Sequence, residues 1–194
     1  MRRKLKLFSA IASLCLAVAL MAFGVYAASQ VTYTLNGSVT YDVSNVLVKI
    51  TGRYTESSST FANVTDPKTL QYSGTSHNLT GADYSNDYTG TEQTPSDDVN
   101  VAFGTYSAVK IEVTVTNYSK SYAVDIEETV PTVETTSNYA VVADDANVDT
   151  IAAATSEAGT PVTLTYYVYL LDVTKNVTNG DFDLVIRLTR GASV

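Results

Sequence analysis

Three segments of this 194-residue chain alternate apolar and polar side chains with a period of two, and that period limits what the chain can become. In the first, Val109, Ile111, Val113 and Val115 alternate with Lys110, Glu112, Thr114 and Thr116. Val162, Leu164, Tyr166, Val168 and Leu170 form the second apolar set, and Phe182, Leu184, Ile186 and Leu188 the third. Successive side chains of a strand point to opposite faces, so each segment reads as a strand with one buried face. Shorter runs at 46–54, 99–103, 122–126 and 139–142, with an N-terminal strand region, bring the strands to about eight. Beyond residue 27 the chain holds 28 Thr, 23 Val and 13 Tyr, the β-branched and aromatic types that suit a pleated surface. No segment there shows a helical period. The Ala-rich residues 148–158 come nearest, with room for one or two helical turns. Strands separated by polar turns predict an all-β, antiparallel β-sandwich.

The N-terminus has a different logic. Arg2, Arg3, Lys4 and Lys6 precede an uncharged apolar run from 7 to 28, which ends Gly24-Val25-Tyr26-Ala27. Small residues at −3 and −1 predict a signal peptide, residues 1–27, cut between Ala27 and Ala28. Left uncut, the run is long enough to anchor the chain in a membrane. Either way the rest of the chain, 28–194, is expected outside the cytoplasm as a single domain. Cys15 lies within the leader, and Leu14 before it does not suit lipidation.

Removing the leader leaves 8 Lys and Arg against 20 Asp and Glu, a balance of −12, with no Cys, no Trp and one His. Thiol catalysis, a disulfide framework and a His-rich metal centre are excluded by those counts. So is backbone recognition of nucleic acid, which needs clustered cations.

Residues 31–43 carry the richest local pattern. Val31, Tyr33, Leu35, Val39, Tyr41 and Val43 share one parity, with Asn36-Gly37 between them. A two-residue turn at Asn36-Gly37 would send the two apolar sets to opposite faces, so register argues against it. Two readings keep the faces together: a three-residue loop over 36–38, or one long strand with Gly37 on its apolar face. Residues 57–98 are instead dense in Ser, Thr, Gly, Asn and Asp. Short edge strands near 61–64 and 69–72 are expected there, among turns.

Candidate sites are sparse. Ser76-His77 faintly echoes a nucleophile elbow, but the strand-to-helix context and a second His are missing, so no catalytic residue is assigned. Asp144, Asp145 and Asp149, and separately Asn179, Asp181 and Asp183, are oxygen-rich enough to suggest calcium. Neither fits an EF-hand spacing, and Asn-Gly-Asp is also ordinary turn composition, so no metal or cofactor is assigned. Tyr72, Tyr84 and Tyr88 in the polar stretch could stack on a sugar, although they are equally good strand residues. Sequons stand at Asn36, Asn63, Asn78, Asn117 and Asn176, a mild excess that the Asn, Ser and Thr content nearly explains by chance.

The basic-then-apolar leader ending Gly24-Val25-Tyr26-Ala27, the Thr/Val/Tyr-rich acidic domain behind it and phrases such as VKIEVTVTNYS (109–119) resemble the secreted bacterial TasA/camelysin group. That resemblance implies a jelly-roll-like sandwich of about eight to ten strands that polymerises into matrix fibres. In such fibres each subunit's N-terminal strand completes the next subunit's sheet. Residues 31–43 are suited to that role, since an alternating terminal segment can fill a sheet edge. Pairing within the same chain is the default for such a segment, and the resemblance favours exchange. The expected function is therefore a secreted, non-catalytic structural protein of the cell surface or biofilm matrix. A glycan- or protein-binding adhesion module acting through residues 57–98 is the alternative, and a secreted hydrolase is a distant third.

Overall fold

Period-two patterning becomes two-layer burial. The computed structural model describes residues 33–58, 61–86, 93–131, 137–177 and 180–194, so the leader, the Ala27/Ala28 junction, Val31, Tyr88 and Asn179 lie outside the described residues. In chain order the strands are β1 (Tyr33–Ser44), β2 (Val48–Glu56), β3 (Ser76–Asp83), β4 (Ser96–Phe103) and β5 (Ala108–Asn117). They continue as β6 (Tyr122–Thr129), β7 (Tyr139–Ala143), β8 (Thr150–Ile151), β9 (Thr160–Leu170) and β10 (Asp181–Ser193). They form two five-stranded sheets, the first ordered β4-β1-β10-β6-β8 and the second β3-β2-β5-β9-β7. The fold is an all-β sandwich, as the alternation predicts.

Pairing is antiparallel throughout with one exception: β1 runs parallel to β10, with Gly37 opposite Phe182 and Tyr41 opposite Ile186. Parallel neighbours need a long connection, and here the whole intervening chain supplies it. Leu35, Val39 and Tyr41 of β1, Val99 to Phe103 of β4 in alternation, and Leu184 and Ile186 of β10 are fully buried. They meet Ile111, Val113, Leu164, Tyr166 and Val168 of the second sheet in one apolar cluster. Sheets stacked in this way bury alternate residues of every strand, which is why the sequence pattern is so regular.

Residues 33–44 form one continuous strand with no turn at Asn36-Gly37. Gly37 lies on the inner face by parity with Leu35 and Val39, and the Phe182 ring occupies the space a side chain there would need. A glycine inside a strand often marks such a close approach. The strand is also central, with β4 on one side and β10 on the other.

The polar stretch departs from expectation. Residues 61–64 and 69–72 are not strands; Pro67–Thr69 forms one turn of 3-10 helix, capped by the Asp66 side chain accepting from the Lys68 N–H. The strand of this region is β3, which the alternation does not announce because only Leu79 of its eight residues is buried. Residues 148–158 form β8 and a turn rather than a helix. Among the described residues no helix is long and apolar enough to cross a membrane.

Candidate functional site

The outer face of the second sheet carries a polar groove built by a local irregularity. Between β2 and β3 the register shifts: Ile50 pairs with Ala82 but Gly52 with Leu79, so Thr80 and Gly81 both stand opposite Thr51. Such a bulge bends the strand and increases its twist. Gly81 takes φ of +68°, and a Cβ there would collide with the Ile50 carbonyl. The bulge leaves two backbone donors without ladder partners, and the buried Asp97 of β4 supplies the acceptors. Its carboxylate accepts from Thr80 N–H at 2.9 Å and Gly81 N–H at 2.8 Å, and the Tyr41 hydroxyl donates to it at 3.3 Å. One carboxylate thus ties the edge of the second sheet to the edge of the first.

The groove, about 310 Å³, opens over the strands beside this bulge. Its floor follows cross-strand rows, with Thr51 opposite Thr114 and Thr114 opposite Thr163. The Thr114 and Thr163 hydroxyls are hydrogen-bonded at 2.9 Å. In the next row Arg53 pairs across to Asn78 on one side and Glu112 on the other. Arg53 Nε donates to Glu112 Oε2 at 2.9 Å, and Lys110 Nζ donates to Oε1 at 3.0 Å. Burial pushes the Glu112 carboxyl up, but hydrogen bonds and charge from Lys110 and Arg53 outweigh it and hold the group below its ordinary value. Both carboxylate oxygens are therefore engaged. Lys110 also stands 5.7 Å from the centre of the Tyr72 ring, which ties the groove to the loop before β3.

The residues singled out in the sequence are held in other ways. His77 stacks on Tyr54 with ring centres 4.6 Å apart, and its Nε2 is 3.5 Å from Glu56 Oε1. The Ser76 hydroxyl pairs with Thr55 at 2.7 Å, so serine and histidine do not form a nucleophile–base pair. Asp144 accepts from Ala146 N–H at 3.0 Å and from the Tyr167 hydroxyl at 2.8 Å, while Asp145 pairs with Lys68 at 2.7 Å. The Asp149 carbonyl accepts from Ile126 N–H at 2.8 Å. Asp183 accepts from the Ser38 and Thr40 hydroxyls at 2.6 and 3.1 Å, and the Asp181 carbonyl accepts from Tyr139 at 2.7 Å. Among the described residues no three His, Cys, Asp or Glu side chains are grouped to hold a metal ion.

Tyr72 lies tilted against Tyr167 with centres 5.6 Å apart and donates to the Pro67 carbonyl at 2.8 Å. Tyr84 packs against the core. Of the sequons, Asn117 is fully buried and donates to the Tyr122 and Ala152 carbonyls, whereas Asn78 is exposed in the groove. Sequence reasoning missed Arg53, Glu112 and the threonine row because mid-strand polar residues are the ordinary solvent face of any sandwich. It also missed Asp97, although Asp97 shares the parity of buried Val99, Val101 and Phe103, which is a readable signal.

No protein-family model matches the chain, and neither does any curated protein. Among solved structures it is similar to IP-1A from Alcaligenes faecalis at 14% identity, over 83% of this chain and 94% of that one, with a TM-score of 0.25. It is similar also to the Danio rerio Fcho1 Mu homology domain with bound Eps15 peptide, at 6% identity over 85% and 100% of the two chains, TM-score 0.24.

Proposed function

We propose that this chain is a secreted, non-catalytic structural protein of the cell surface or extracellular matrix, assembled by exchange of β1 between copies. One observation carries the reading: the first strand of the domain, the one nearest the leader, fills an interior position of its sheet. Taking β1 away would open a slot between β4 and β10, lined by Val99, Val101 and Phe103 on one side and Phe182, Leu184 and Ile186 on the other. The same strand from a neighbouring copy would restore both ladders and the Gly37–Phe182 fit, so exchange loses no contact of the folded domain. Cleavage between Ala27 and Ala28 would leave the segment close behind the new N-terminus, free to leave without threading a loop. The leader, read from sequence, supplies export.

Light scattering with size-exclusion chromatography tests this. Protein starting at Ala28 is expected to form high-mass species. Protein starting at Asn45, which lacks β1, is expected to stay small and to bind an added peptide of residues 31–44 in equal proportion. A protein from Ala28 that remains monomeric at every concentration, with no capture of the peptide by the shorter form, overturns the proposal.

A further inference from the structure

The two outer faces of the sandwich differ in charge. On the first sheet Asp98, Asp125, Glu127, Asp181 and Asp183 are exposed on the outer face, with Arg187 covering the buried Asp42. Across the second sheet Lys49, Arg53 and Lys110 face outward against Asp83 and Glu112. With Asp144 on the Tyr167 hydroxyl counted, cations and carboxylates balance on this face, whereas the outer face of the first sheet is acidic. Salt bridges join Lys49 to Asp83 at 3.2 Å, and Arg53 and Lys110 both to Glu112, so two cations share one carboxylate at the groove.

Arg53 donates to Glu112 through Nε, which leaves the Nη1–Nη2 end of the guanidinium, an end that can donate two parallel hydrogen bonds to a planar carboxylate. Around it stand the Asn78 amide and the hydroxyls of Thr51, Thr114 and Thr163. An amide and hydroxyls both donate and accept, which matches the hydroxyls of a sugar ring. The remaining carboxylate, Glu112, is neutralised from both sides. It does not repel an anion.

We infer that the groove over β3, β2, β5 and β9 binds an acidic saccharide, a uronate unit whose carboxylate meets the end of Arg53 and whose ring hydroxyls meet Asn78 and the threonine row. The site goes beyond the structural role, because β1 contributes nothing to the groove. A monomer and a polymer alike would present it.

The probe is a linear oligogalacturonate, with a neutral galacto-oligosaccharide of the same length beside it. Calorimetric titration is made on the protein recovered after expression of the full chain. The uronate is expected to bind and the neutral oligomer to bind far more weakly. Raising the salt concentration is expected to weaken the uronate further, since exposed charge pairs are screened. Arg53→Gln removes the charged donor pair and is expected to weaken binding by about tenfold or more. Lys120→Gln removes an equal charge from a position paired with Glu157, outside the groove, and is expected to leave binding unchanged. Circular dichroism shows whether each variant keeps its sheet. Equal affinity for both oligomers, no binding of the uronate, or equal loss in the two variants overturns the inference.

Discussion

At the scale of single residues, Gly37 shows how one missing side chain shapes a strand. The dipeptide Asn36-Gly37 is a strong hairpin signal in sequence. In the folded chain the glycine instead receives the Phe182 ring from the parallel neighbour. Gly37→Val would drive a branched side chain into that ring. It is expected to cost about 1–3 kcal/mol, the usual penalty for overpacking a filled core. Urea unfolding measures this, and adding Phe182→Ala to the variant should recover part of the loss. Full additivity of the two changes would show that the ring is not the obstacle. The same residue explains a limit of sequence reading. Parity identifies Leu35, Val39 and Tyr41 as one face, but it cannot say whether a glycine in that face bends the chain or covers a ring.

At the scale of elements, the bulge on β3 and the carboxylate beneath it act together. Two backbone N–H groups lose ladder partners at Thr80 and Gly81, and Asp97 receives both. Buried donors left without acceptors cost about 1–3 kcal/mol each. Thr80 is exposed and Gly81 half-buried, so water replaces part of the loss, and Asp97→Ala is expected to lower stability by about 1–2 kcal/mol and to speed hydrogen exchange across β3 more than across β5. Asp97→Asn, which keeps one acceptor oxygen, should lose less. Uniform exchange across both strands would sink this account. β3 itself was not legible, because an edge strand with one buried residue has no alternation to show. β5, β9 and β10, buried along a whole face, were legible from end to end.

At the scale of the whole molecule, the buried tyrosines govern behaviour in alkali. Burial pushes Tyr41, Tyr72, Tyr106 and Tyr166 above the ordinary tyrosine value, and nearby negative charge adds to it. Burial and the Asp144 carboxylate raise Tyr167 to about 12. A raised value in the folded state means that the neutral phenol stabilises the fold fully below the unfolded value of 10.0, and that this contribution is lost as pH rises through the folded values. Unfolding is thus expected above pH 10 as one cooperative step, with tyrosinate absorbance and loss of sheet dichroism rising together. Gradual ionisation of all the tyrosines near pH 10 with the sheet intact would contradict it. On the acid side, hydrogen bonds from the Ser85 hydroxyl and N–H, then Lys49, lower Asp83 to about 2. Its contribution is present above the unfolded value of 3.8 and fades as pH falls toward 2.

The amino-acid sequence by itself determined that the chain would form strands, which face of most of them is buried, and that the fold would be a two-layer all-β sandwich. Each of those follows from local chemistry, since a period of two and β-branched side chains act between neighbours along the chain. Only the tertiary structure decided which strands lie side by side. The parallel union of β1 with β10 and the row of Thr51, Thr114 and Thr163 join residues far apart in sequence. Pairing at that range depends on how whole faces pack and on where a bulge turns a strand. The groove exists because four strands and one bulge meet, and no single segment of the chain carries that information.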